Sequence, residues 1–188
     1  MIWVPIVLRK KRVGSPRRPN SLPENQITTG DAGIEFVVTG LSPQPYLYLY
    51  GMSDAALAAN GAKRYLADAA PGFPDRVEMR DVDIGQSLLL LNHVSMEQDT
   101  PYQASHAIFI REGAEIAYRE ENEIPDVMFR RLLSLRAFDD IGMMVDADIA
   151  EGEDIAPLAR RLLEIPQVSY IHAHNVIRGC YSGKIERR

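Results

Sequence analysis

The apolar residues of this chain come in short runs closed by glycine, proline or acidic turns, and this punctuation constrains the fold more than any other feature. Ser87–Val94, His106–Arg111 and Leu133–Phe138 are such runs, with 143–149, 168–174 and 178–186 after them. Apolar runs of that length bounded by turn signals read as strands. Ile34–Thr39, Lys63–Ala67 and Val77–Arg80 read the same way, and Asp139-Asp140-Ile141-Gly142 is the turn of a hairpin. Residues 114–123 read as an exposed acidic loop. Helical signals are few. Ser53 is a good N-cap for a helix over 54–60, closed by Asn60-Gly61. Pro125 opens a second helix, to about Leu132. Asp154 caps a third, in which Ile155, Leu158, Leu162 and Leu163 recur at helical spacing until Pro166. Many strands with about three short helices, and no steady β-α alternation, predict an α+β fold with a mainly antiparallel sheet. Its last part runs strand, helix, strand, strand.

Charge divides the chain. Residues 1–33 hold six basic and two acidic side chains, whereas residues 34–188 hold fifteen basic and twenty-four acidic ones. The expected organisation is a basic N-terminal arm or extension over 1–33 and a single acidic α+β domain over 34–188. A net charge of −5 and a pI near 5.4 argue against a nucleic-acid protein as a whole, which leaves the arm as the part suited to nucleic acid or an acidic partner. No apolar run approaches the ~20 residues that span a bilayer. Ile2–Leu8 precedes the first basic residues, the reverse of a secretory signal, so the expected location is cytoplasmic. With one cysteine, Cys180, neither an intramolecular disulfide nor a Cys₂His₂ zinc site can form.

The chemistry-bearing residues gather near the C-terminus. Strand alternation puts His172 and His174 on one face of 168–174, with Ile171 and Ala173 on the other. If the loop after His174 has an odd length, Cys180 lies across from His172, and Ile171, Ala173, Tyr181 and Ile185 share an apolar face under the helix. An even loop makes Cys180 a core thiol. The odd register has the better buried pattern. It brings His172, His174, Asn175, Arg178 and Cys180 together, with Asp146 or Asp148 joining from 143–149. Three readings follow. Cys180 beside His172 and Arg178 acts as a thiolate, with His172 its base and His174 and Asp146 orienting the group. His172, His174 and Asp146 bind a divalent metal, the alternative to a site with no cofactor. Or Arg178, His174, Asn175 and Asp146 bind a small anionic molecule. The plain alternative is a polar sheet face with a passive thiol. His93 and His106, on or beside apolar strands, read as hydrogen-bonded structural histidines, with completion of a metal site the alternative for either. A different class of function is non-catalytic binding or scaffolding, including homo-oligomer formation, through the arm or an edge carrying Tyr46, Tyr48 and Tyr50.

The segments Met52-Ser53-Asp54, Pro71-Gly72-Phe73-Pro74, Leu88–Asn92, Leu132–Arg136 with Gly142–Asp148, and Tyr170–Asn175 ending in Arg178-Gly179-Cys180 occur in combination. In that combination the chain resembles the bacterial domain-of-unknown-function family 1203. The resemblance covers about residues 34–188. It implies a small bacterial protein of roughly this domain's length, and carries over no activity, cofactor or catalytic residue.

Overall fold

The structure is a computed structural model that describes residues 33–188, so the expected arm, but for Gly33, lies outside the described residues. In chain order the elements are β1 (Phe36–Thr39), α1 (Asp54–Ala59), β2 (Lys63–Leu66), β3 (Ser87–Met96), β4 (Ala104–Arg111), β5 (Arg119–Glu121), α2 (Asp126–Phe129), β6 (Leu133–Phe138), β7 (Met144–Ala150), α3 (Ile155–Leu163), β8 (Tyr170–Asn175) and β9 (Tyr181–Arg187). The fold is α+β. One sheet has six strands in the order β5-β1-β9-β8-β6-β7, the other three in the order β2-β3-β4, and every pairing between these strands is antiparallel.

The helical spacing read in the sequence decides how α3 docks. Ile155, Leu158, Ala159, Leu162 and Leu163 form its buried stripe, which packs on Leu133, Leu135, Ala137, Ile171, Ala173 and Ile185 of the large sheet. Each large aliphatic side chain so buried contributes about 1.5–3 kcal/mol before the ordering entropy is set against it. Asp154 makes no side-chain cap bond, because a single tight turn over Gly152–Asp154 leads into the helix. Ser53 caps α1 as expected, its Oγ accepting from Ala56 N at 3.3 Å. The small sheet joins a second core, in which Leu89, Leu91, Ile108 and Ile110 meet Tyr46, Leu57, Val77 and, from β9, Tyr181.

Several expectations need correction. Residues 77–80 form no strand but a loop that sends Val77 into one core and Met79 into the other. The acidic stretch 114–123 contains the edge strand β5, whose backbone pairs with β1 although its side chains are exposed. Leu47–Leu49 is one tight helical turn, so Tyr46, Tyr48 and Tyr50 share no edge. Tyr46 is buried against His93, the Tyr50 hydroxyl donates to Ala114 O at 3.0 Å, and Tyr48 alone of the three is exposed. β7 also turns over relative to the expected packing. Asp146 and Asp148 lie on the α3 side of the sheet, where Arg161 reaches them at 3.3 and 3.1 Å, while Val145 and Ile149 are exposed. This facing follows from the register with β6, in which Asp146 pairs with Ala137 and Asp148 with Leu135, and the half-exposed ion pairs to Arg161, worth at most about 1 kcal/mol each, accompany it. Among the described residues no helix is long and apolar enough to cross a membrane.

Candidate functional site

The last hairpin positions Cys180. Along β8 and β9, Ile171 pairs with Ile185, His172 with Lys184 and Ala173 with Gly183, so Ile171, Ala173 and Ile185 do share the face under α3. The predicted parity therefore holds along the body of the hairpin. The offset does not, because His172 faces Lys184 rather than Cys180. Between Ala173 and His174 the register shifts, Ser182 becomes the extra residue of a bulge, and Tyr181 comes opposite His174. The shift turns Tyr181 away from α3. Beyond it, Asn175 N donates to Cys180 O at 2.9 Å, and Gly179, at φ 71°, closes the loop by donating to Asn175 O at 2.7 Å.

Cys180 consequently has neighbours other than the predicted ones. Its sulfur accepts from Asn175 Nδ2 at 3.3 Å and from Arg76 Nη2 at 3.4 Å. The pairing of Cys180 with His172 as base is corrected by this geometry. Asp146 is also elsewhere, on the opposite face of the large sheet from His172 and engaged by Arg161. Among the described residues no three His, Cys, Asp or Glu side chains are grouped so as to hold a metal ion. The metal reading on His172, His174 and Asp146 fails for the same reason, since sheet alternation separates the carboxylate from the imidazoles.

The four histidines of the chain instead form an aromatic layer between the sheets. His106 meets His174 at 4.8 Å between ring centroids, His172 meets Tyr181 at 5.2 Å, and His93 meets Tyr181 at 5.4 Å. Burial holds them neutral: His93 is pushed down to about 4 and His172 and His174 to about 3, with His106 lowered in the same direction. His93 Nδ1 is bonded to the Tyr46 hydroxyl at 2.9 Å, and His174 Nδ1 lies 3.3 Å from Gly179 O. Among the described residues the buried Nε2 of His106 has no partner, against the expectation of a hydrogen-bonded structural histidine.

Beside the hairpin loop lies a cleft of about 1100 Å³. The polar part of its lining comprises Arg76, Arg130, Arg131, Asn175, Arg178 and Cys180 with His106 and Ser105, and it includes no carboxylate. Within a strongly acidic domain that exclusion is selective. Arg130 is paired with Asp126 and Arg131 with Asp81, outside the lining. Arg178 is exposed and makes no ion pair among the described residues. Arg76 is buried, at 3% exposure, and it too has no carboxylate partner. Its Nε donates to Tyr181 O at 2.5 Å and its Nη1 to Pro74 O at 2.6 Å, while burial pushes its guanidinium below the usual value.

Of the residues expected from sequence, the cleft gathers Cys180, Arg178 and Asn175, and it leaves out His172, His174 and Asp146. Arg76 and the aromatic residues Phe73 and Phe109 were not foreseen. Arg76, Glu78 and Arg80 alternate like a solvated strand face, and nothing in that spacing marks one of them as turned inward. The one usable signal is the Pro71-Gly72-Phe73-Pro74 punctuation just before it, since loops held by rigid residues often carry binding groups.

No curated protein and no solved structure matches the chain. A family model does match, over residues 72–187, that of the protein of unknown function DUF1203. The matched span begins at the Gly72–Pro74 loop and ends in β9, and so contains Arg76, Asn175, Arg178 and Cys180. The chain belongs to the DUF1203 family.

Proposed function

We propose that the cleft beside the C-terminal hairpin binds a small anionic molecule, a carboxylate or a phosphate. The observation that carries this reading is that, among the described residues, the lining has four guanidinium groups and no carboxylate, two of those groups without an acidic partner. Arg178 is the contact group, being exposed and free to form a bidentate bond. Arg76 is fixed by carbonyl oxygens and supplies a buried positive charge behind Cys180 and Asn175. Asn175 orients the sulfur.

Cys180 reports on the field of this cleft, because it is the sole cysteine and any thiol label lands there. The test compares alkylation by iodoacetate, an anion, with alkylation by neutral iodoacetamide. Both reagents draw on the same sulfur, so their rate ratio isolates the local charge. The expected ratio is several-fold above that of the uncharged thiol N-acetylcysteinamide, falls as salt is added, and falls in Arg178→Gln. A ratio equal to that of N-acetylcysteinamide at low salt overturns the reading.

A second reading, that Cys180 is itself a nucleophile toward the bound molecule, is favoured by two donors, Arg76 Nη2 and Asn175 Nδ2, converging on its sulfur. It is tested by the iodoacetamide rate alone. Alkylation near neutral pH faster than that of N-acetylcysteinamide is expected, and an equal or slower rate removes it.

A further inference from the structure

We infer that the anion this cleft takes carries a planar apolar body, an aromatic carboxylate or an aryl phosphate rather than an inorganic ion. The inference rests on the anion-binding reading and adds the class of ligand.

The cleft is lined by two kinds of side chain. Besides the guanidinium groups, Tyr65, Phe73 and Phe109 line it with half-buried rings. Phe109 takes Phe73 edge-on at 5.4 Å between centroids and Tyr65 at 5.9 Å. Edge-to-face packing of this kind fixes the rings against one another. Among the described residues Phe73 and Phe109 are left half-exposed in the cleft, a surface suited to stacking a planar group.

The surface and the charge belong to one built unit. Phe73 and Arg76 sit on the same short loop, and Arg76 N donates to Phe109 O at 3.2 Å. Asp75, between them, is fully buried, and its carboxylate accepts from Arg111 N at 2.8 Å and Glu78 N at 2.6 Å, which ties the loop to β4. The distance from the aromatic surface to the buried Arg76 guanidinium is therefore set by the fold, while Arg178, the exposed contact group, reaches the anion from the hairpin loop. The size also fits. A cleft of about 1100 Å³ lies just above the roughly 300–1,000 Å³ typical of sites for molecules of drug size, whereas acetate or phosphate would leave its aromatic lining wet. Ile177, 91% exposed on the hairpin loop, lines the same cleft and gives an apolar body a further surface to cover.

Calorimetric titration of the full chain with 2-naphthoate, acetate and neutral 2-naphthamide tests this. The expected result is 2-naphthoate binding about tenfold or more tightly than acetate, the gain of stacking one aromatic body. Phe73→Ala and Ile177→Ser, the second at an exposed position with little bearing on folding, each weaken 2-naphthoate and leave acetate unchanged. Equal affinities for acetate and 2-naphthoate overturn the inference and leave anion binding standing, as does full 2-naphthoate affinity in both variants. If 2-naphthamide binds as tightly as 2-naphthoate, the anion-binding reading itself fails. Absence of binding by all three overturns both.

Discussion

The guanidinium of Arg76 and the sulfur of Cys180 lie 3.4 Å apart although 104 residues separate them in the chain. The contact joins the loop that precedes β3 to the last hairpin. Arg76 also holds Tyr181 O and Pro74 O, so one side chain satisfies acceptors on both segments. Replacing it with methionine keeps the packed volume and leaves those acceptors unpaired. The expected cost is about 2–4 kcal/mol, because a buried group loses its partners without gaining water. Urea unfolding of Arg76→Met measures it. A loss under about 1 kcal/mol means that the two segments are held together by packing alone.

The histidine layer makes folding sensitive to mild acid. The usual value in an unfolded chain is near 6.5, and His172 and His174 are held at about 3 in the fold. The unfolded chain therefore takes up protons that the folded one refuses, and stability falls as pH drops below 6.5. By pH 5 each of the two contributes a loss of about 2 kcal/mol relative to pH 7.5, and His93, held at about 4, adds in the same direction. The buried Asp75 carboxyl is raised by desolvation and so gains stability as pH falls, the opposite sign, and all four histidines of the chain lie in the layer, so a fall belongs to it. Urea midpoints measured from pH 7.5 to 5 are expected to fall steadily. A flat profile would show the rings to be more hydrated than their packing implies.

How much of this was legible in the sequence depended on range. Leu133–Phe138, Ser87–Val94 and the stripe Ile155–Leu158–Leu162 report local periodicity, and the corresponding strands and α3 are where that periodicity puts them. The parity of the last hairpin was legible too, because Ile171, Ala173 and Ile185 must be buried together. The bulge at Ser182 was not. Its one signal, the isolated Gly183 beside it, does not say how the register shifts, and the bulge lets Tyr181 fill space beside His172 and His93 of the other sheet. Arg76 was invisible for a related reason: its acceptors are backbone carbonyls, and a carbonyl has no residue type to read. β7 misled because Val145 and Ile149 alternate as a buried face does, yet the strand lies at an edge with its acidic face toward Arg161.

Glu112 anchors the small sheet to α1 and its approach. Its carboxylate accepts from Arg64 Nε and Nη2, from Ser87 Oγ at 2.6 Å and from Gly51 N at 2.7 Å. The Arg64 bond is the main reason that Glu112 is held down at about 2. Glu112→Gln keeps the shape but turns one acceptor into a donor facing donors. A loss of about 1–3 kcal/mol is expected at pH 7.5, shrinking toward zero as the wild-type carboxylate is protonated. Because its folded value is depressed, the wild-type advantage is present above about 4.5 and disappears as pH falls toward 2. Thermal or urea unfolding of the pair at pH 7.5 checks it, and equal stabilities there would mean that water replaces these bonds at no cost.

Gly40 sets the placement of Arg76. It follows β1, and a Cβ built on it would come 2.1 Å from Val77 O and 3.0 Å from Arg76 O. Both are backbone atoms, so no side chain can swing aside. The close approach lets Leu41 N donate to Arg76 O at 2.7 Å and Gly40 N to Tyr118 O at 2.9 Å. Alanine here must push the 76–77 segment outward, away from the hairpin that Arg76 holds. Gly40→Ala is expected to cost about 3 kcal/mol or more, the upper range for forced overpacking. It should also lower the iodoacetate-to-iodoacetamide ratio at Cys180, since the buried charge moves away from the sulfur. Gly61→Ala is the control, because its Cβ would meet nothing within 4 Å and only its φ of 70° opposes it, a penalty of about 1–2 kcal/mol that leaves the alkylation ratio unchanged. If Gly40→Ala is no worse than Gly61→Ala, or leaves the ratio intact, then Arg76 is held by its own bonds to Tyr181 and Pro74 and not by the contact between the end of β1 and the loop.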